Sequence, residues 1–118
     1  LPMGKHSLPM ISYEDVGGVV AAVFAQPSLY IGKTVSIAGE RLKMKRVARI
    51  FSEVTGRKAV YKDIPLETLK GYENGVQLAD MYRFLQTHKQ DRSVKKATKL
   101  YPKTRTFRQW LRDTGWVG

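Results

Sequence analysis

Four apolar residues, Leu8-Pro9-Met10-Ile11, run directly into Ser12-Tyr13-Glu14-Asp15. The first stretch has the length and hydrophobicity of a short buried strand. The second fits a capping box, S-x-x-[DE], in which Ser12 accepts from the backbone N–H of Asp15 and Asp15 reaches back to Ser12. A strand followed at once by a capped helix is half of a βαβ unit, so an α/β fold is expected. The helix should run to about Gln26, where Pro27 stops it. Val16, Val19, Val20 and Val23 recur at helical spacing, with Phe24 beside them. Gly17 and Gly18 each cost about 1 kcal/mol in a helix interior, so an adjacent pair implies that something packs closely there.

The rest of the chain continues in this style. Ser28 to Gly32 reads as a loop. Lys33 to Ala38 alternates as a half-buried strand does, with Val35 and Ile37 on one face. After a turn at Gly39, Arg41 to Thr55 reads as one helix with Met44, Val47, Ala48, Phe51 and Val54 as its stripe. Gly56 stands where a left-handed helix stop belongs. Lys58 to Asp63 is a third strand candidate, and Pro65 opens a short helix to Leu69. Asn74-Gly75 is a turn before a helix from Val76 to Gln86, with Leu78, Met81, Tyr82 and Leu85 on one face. Thr87 to Arg92 is a polar loop. Ser93 caps a segment to Leu100, ended by Pro102. Thr106-Phe107-Arg108-Gln109 is a second capping box, opening a last helix closed by Gly115. Leu1 to Ser7 is a polar leading loop. The sum is an α/β chain with about three strands and five helical pieces. A parallel sheet covered on both faces normally has more strands, so part of the sheet is expected outside the chain.

Length sets the domain count: 118 residues suit one domain, 1–118, since two need roughly 200 or more. The 42% apolar and 26% charged composition is that of a globular chain rather than a disordered one. Cysteine is absent, which excludes disulfide scaffolds, thiolate zinc sites and cysteine nucleophiles. The N-terminus begins at Leu1 and lacks a signal-peptide pattern, and no apolar run is long enough for a membrane span. A cytoplasmic protein, or a piece of something longer, is the expectation.

No catalytic set assembles. The two histidines, His6 and His88, lie far apart in predicted loops without metal-ligand companions. The ten glycines form neither G-x-G-x-x-G nor G-x-x-x-x-G-K-[ST]. Tyr30 and Lys33 have two intervening residues where a Tyr–Lys catalytic pair has three, and they fall in a predicted loop rather than on a helix.

Charge is the remaining signal, with 21 basic against 10 acidic residues and a net charge of +11. Arg41, Lys43, Lys45, Arg46 and Arg49 are expected on the outer face of the second helix. Lys95, Lys96 and Lys99 lead a second cluster that interleaves with Tyr101, Phe107 and Trp110. Together they form a candidate polyanion patch, in which cations would meet phosphates and rings would stack on bases. The rings fall at helical core spacing and no nucleic-acid motif is present. A solvated basic face, with Phe107 and Trp110 anchoring the last helix, therefore takes precedence over nucleic acid.

Five segments, in order, resemble the NmrA-like family, atypical relatives of the short-chain dehydrogenase/reductases. Leu8 to Gly17 is similar to its "p-h-I-S-x-x-D-h-G" segment, and Gly32 to Gly39 to its "G-K-x-h-x-h-A-G" strand. Val47-Ala48 through Thr55-Gly56-Arg57 resembles its "h-A-x-x-h-S-x-h-T-G-R" helix and turn. Leu78-Ala79-Asp80-Met81-Tyr82-Arg83-Phe84 resembles the "L-A-N-M-F-R-F" helix of the redox-sensor-like branch, and Phe107 to Leu111 its closing "h-x-Q-W-L". The resemblance implies only the C-terminal half of such a protein: the last Rossmann strand and helix plus a small substrate or effector lobe. A full-length parent would bind NADP or NAD and act as a redox-sensing regulator or a reductase-like enzyme. No cofactor is expected on this chain alone, because no cofactor motif matches a position in it. Asp15, the one signature acid, is expected to cap its helix. The expected partner is the missing N-terminal half or a second copy of the chain, whose open strand edge at Leu8–Ile11 would otherwise aggregate. A regulator's protein partner is also compatible. The rival from another class is a standalone basic module for nucleic acid or another polyanion.

Overall fold

The computed structural model describes residues 1–89 and 91–118. Gln90, inside the predicted Thr87–Arg92 loop, lies outside the described residues. The order is β1 (Ser7–Met10), α1 (Tyr13–Phe24), α2 (Pro27–Tyr30), β2 (Glu40–Lys43), α3 (Met44–Thr55), α4 (Leu66–Leu69), α5 (Gly75–Thr87), α6 (Val94–Leu100) and α7 (Phe107–Thr114). The class is mixed α/β, as expected. Among the described residues there are two strands, not three.

The strand before the first capped helix is present, but its neighbour comes from the chain itself. β1 pairs antiparallel with β2, placing Leu8 opposite Leu42 and Met10 opposite Glu40. The expected helix from Arg41 is therefore corrected: Arg41, Leu42 and Lys43 are strand, and α3 begins at Met44. Along β2 only Leu42 is buried between exposed Arg41 and Lys43, the two-residue period of a half-buried strand. Three residues are too few for that period to stand out from the helical pattern that follows.

The other two predicted strands do not form ladders. In Lys33–Ala38 only Ile37 makes a parallel bridge, to Ser93, with Ala38 N–H donating to the Ser93 carbonyl at 3.1 Å. Lys58–Asp63 is extended without a strand partner. Ala59 is held by Ser52, whose Oγ accepts from Ala59 N–H at 2.8 Å, while Tyr61 and Asp63 bind the N-terminal segment. The predicted loop at Ser28 instead continues the one-turn α2, which Pro27 opens.

Leu1–Ser7 leads in without helix or strand until Ser7, but it is pinned to the fold, since Pro2 and Met3 are buried. Tyr61 Oη shares its one proton between the Leu1 carbonyl at 2.6 Å and Asp63 Oδ1 at 2.9 Å and accepts from Met3 N–H at 3.2 Å, and Gln86 donates to the Pro2 carbonyl. Three bonds to distant residues satisfy the backbone that burying Met3 would otherwise strand.

Two glycines explain which helix faces turn inward. A Cβ on Gly18 would lie 2.7 Å from three ring atoms of Tyr101, whereas Gly17 faces open space. The close approach inferred from this pair thus belongs to Gly18 alone, and it is made by an aromatic ring. In α5, a Cβ on Gly75 would fall 1.7 Å from the Leu69 carbonyl oxygen. α4 packs there against the start of α5, whose buried residues are the small Gly75 and Ala79. Of the four large residues expected inward, Leu78 and Met81 turn out, 39% and 45% exposed, while Tyr82 and Leu85 are half-buried. In α1 the inward line is Asp15 and Val19, while Val20 is exposed.

The main core joins β2, α3 and α7. Leu42, Ile50 and Leu111 are buried together, with Met10, Phe51, Phe107 and Trp110 packed on them. The molecule is elongated, 48 × 34 × 23 Å, with a radius of gyration of 16.4 Å. A compact domain of this size has roughly 13–14 Å. No helix among the described residues is long and apolar enough to cross a membrane.

Candidate functional site: an apolar cleft with a paired rim

A cleft of about 370 Å³ opens where the end of β1, the start of β2 and the N-terminus of α7 meet. Met10 and Ile11 line one side, and Phe107 and Trp110 the other. The two rings lie nearly parallel, 15° apart with centroids separated by 6.3 Å. Glu40 and Arg105 stand at the polar rim.

Each rim charge is held by local chemistry. α7 begins with a complete capping box: Thr106 Oγ1 accepts from Gln109 N–H, and Gln109 Oε1 accepts from Thr106 N–H at 2.9 Å. Glu40 accepts from Phe107 N–H at 2.9 Å, so a carboxylate sits on the positive end of the helix and satisfies another of its orphan donors. Across the cleft the Arg105 guanidinium meets Asp15 (Nε 3.2 Å, Nη2 3.1 Å), Glu14 (3.1 Å) and Ser12 Oγ (3.2 Å). The Arg105 backbone N–H donates to the second Asp15 oxygen at 2.8 Å. Hydrogen bonding to Asp15 above all, with the charges of Asp15, Glu14 and Asp113 adding to it, raises the Arg105 pKa against some desolvation.

This corrects the expected role of Asp15. Ser12 caps α1 as predicted, accepting from Asp15 N–H at 3.2 Å. The Asp15 carboxylate turns away from the cap to Arg105, where both its oxygens are bound. The residue is 2% exposed. Arg105 was not singled out by sequence. The available signal was the position of Asp15 four residues before Val19: an acid on the buried line of a helix requires a cation partner.

The arrangement can hold a flat apolar group between aliphatic and aromatic walls beside an immobilised charged rim. Ser12, Tyr13 and Glu40 are on its lining, and no hydrogen bond joins any two of them into an acid–base pair. Ser12 Oγ already accepts two bonds, and no nucleophile–base pair lines the cleft. A dinucleotide pyrophosphate does not fit the turn between β1 and α1. Ile11-Ser12 has no glycine, and Glu14 and Asp15 occupy the first turn of α1, where a phosphate would need the helix's N–H groups. The start of α7 is filled by Glu40 and Gln109.

The candidate polyanion residues are distributed over three elements. Arg41 and Lys43 lie on the exposed positions of β2, Lys45, Arg46 and Arg49 on α3, and Lys95, Lys96 and Lys99 on α6. Arg41 and Lys43 are thus on a strand rather than on the helix face expected. Arg41 donates to the Arg92 carbonyl at 2.7 Å. α3 packs on α7 and α6 on α1, so the two clusters rest on different parts of the fold. The histidines are apart: His6 Nδ1 is 3.3 Å from the Met3 carbonyl, and His88 stacks on Phe84. No group of three or more metal-ligating side chains occurs among the described residues.

The described residues thus form a mixed α/β fold with an apolar cleft beside a charged rim. The chain belongs to the NmrA-like family, whose pattern matches residues 1–111. It is 35% identical over 71 residues to an NmrA-like family domain-containing oxidoreductase, malD, of Malbranchea aurantiaca, an alignment covering 54% of this chain and 21% of that protein. A crystal structure of a nucleoside-diphosphate-sugar epimerase from Staphylococcus aureus superimposes with a TM-score of 0.77 at 26% identity, over 94% of this chain and 42% of that one. The chain therefore spans less than half the length of either relative.

Proposed function

We propose that this chain is the ligand-facing lobe of an NAD(P)-binding, reductase-like member of the family that works as a redox-sensing regulator. Family membership and the oxidoreductase and epimerase relatives support the reductase-like part. The observation that carries the sensing part is the cleft itself, which has apolar walls, a rim whose charges are already paired, and no hydrogen-bonded acid–base pair on its lining. Such a cleft binds and reports rather than turning substrate over. The dinucleotide-binding half supplies the pyrophosphate turn, and Met10, Ile11, Phe107 and Trp110 supply one wall for the second ligand.

The test uses the protein that carries this lobe together with a dinucleotide-binding half. NADPH and NADP⁺ affinities are measured by calorimetry, and NADPH consumption with menadione as acceptor. The sensor reading expects at least a fivefold difference between the two dinucleotides and no consumption above background. Turnover that collapses in Trp110→Ala overturns the sensor in favour of an enzyme. Failure to bind either dinucleotide overturns the NAD(P) assignment.

A further inference from the structure

A second cleft, of about 390 Å³, lies between α6 and the segment from α2 to Val35. Its apolar lining comes from Leu29, Val35 and Leu100. Three lysines stand around it: Lys33 from one side, Lys96 and Lys99 from the other. Lys96 and Lys99, three apart on α6, share a helix face. No carboxylate lines the cleft, and none of the three lysines is ion-paired among the described residues. This differs from the Met10–Trp110 cleft, whose charges are all engaged. Three like charges around an apolar hollow repel one another, and an anionic head relieves that repulsion while its body takes the hollow. The volume is within the usual range for small-molecule sites. Lys33 was not among the candidate binding residues. Only the fold brings it to α6, through the bridge between Ile37 and Ser93.

We propose that the cleft formed by Lys33, Lys96 and Lys99 over Leu29, Val35 and Leu100 is a binding site for a small amphiphilic anion, an apolar body carrying one phosphate-like head. It is independent of the Met10–Trp110 cleft and of any dinucleotide.

The test titrates the chain with 2-naphthyl phosphate, 2-naphthol and inorganic phosphate, following amide shifts in NMR spectra. The phosphate ester should bind at least tenfold more tightly than either part alone, with shifts concentrated around Tyr30–Val35 and α6. Lys33→Glu and Lys96→Glu should each weaken it at least fivefold. The charge-matched single controls Lys58→Glu and Lys62→Glu should each stay within twofold, circular dichroism confirming that each variant folds. An equal loss in the controls, or equal affinity for inorganic phosphate, means a diffuse cationic surface and overturns the site. Binding to phosphatidylserine vesicles without binding to the ester overturns it in favour of a membrane surface.

Discussion

Asp15 and Arg105, ninety residues apart, are joined by three hydrogen bonds that tie the first turn of α1 to the segment leading into α7. The carboxylate is buried and the guanidinium side chain 21% exposed. Removing one partner leaves the other's charge poorly solvated, which costs about 3–5 kcal/mol for a buried pair. Asp15→Ala should therefore destabilise by about 3 kcal/mol in urea unfolding. Glu14→Ala, which removes only the exposed member of the cluster, should cost under about 1 kcal/mol. Equal effects would show that the pair does not organise this junction.

The two adjacent glycines of α1 should respond in opposite directions. Gly17→Ala adds a methyl in open space and should stabilise by up to about 1 kcal/mol through helix propensity. Gly18→Ala drives a methyl into the Tyr101 ring, and overpacking of about 1–3 kcal/mol should outweigh that gain. Gly75→Ala meets backbone rather than a side chain and should be the most damaging of the three. Thermal unfolding of the three variants decides the order.

Met3→Ala and Leu111→Ala remove side chains that are 0% and 1% exposed. Each should lose about 2–5 kcal/mol, as large-to-small core changes do. A loss below about 0.5 kcal/mol for Met3→Ala, the magnitude of an ordinary surface change, would mean that the N-terminal segment is not held in solution.

Two ionisable groups set opposite pH limbs. Desolvation, and then the hydrogen bond to Asp63, hold the Tyr61 phenol above its ordinary 10.0. The folded state keeps that proton more tightly, so the contribution is complete below about pH 10 and is lost as pH rises through the raised value. Hydrogen bonding to Arg108 lowers Glu53 below 4.5. Its contribution is present above that value and is lost as pH falls through the lowered one. Urea midpoints against pH should fall less steeply at the alkaline end in Tyr61→Phe and at the acid end in Glu53→Gln.

Titration of this chain with NADPH should give no binding tighter than about 10 μM, an affinity worth roughly 7 kcal/mol. Glu14 and Asp15 occupy the start of α1, the helix that follows β1, and β2 runs into α3 with no glycine turn between them. Stoichiometric binding below that concentration would require a pyrophosphate site of another kind.

What the sequence determined by itself is local. The Ser12, Ser93 and Thr106 caps, the Gly56 and Gly115 stops and the helices between them follow from side chains bonding backbone three or four residues away. Those signals act over one helical turn and need no partner. Five motifs in order also carried the family. Tertiary structure decided everything that depended on a distant neighbour. Lys33–Ala38 has the alternation of a strand but only one bridging residue, because a ladder needs a second chain segment in register. Arg41–Lys43 became strand because β1 was there to pair with it. Leu78 and Met81 of α5 turned outward while the small Gly75, which lets the end of α4 come closer than a large side chain could, took an inward position. Asp15 left its cap for Arg105, and Lys33 joined Lys96 and Lys99, for the same reason: charge and packing act through space, and the chain order that brings these residues together is visible only once the fold exists.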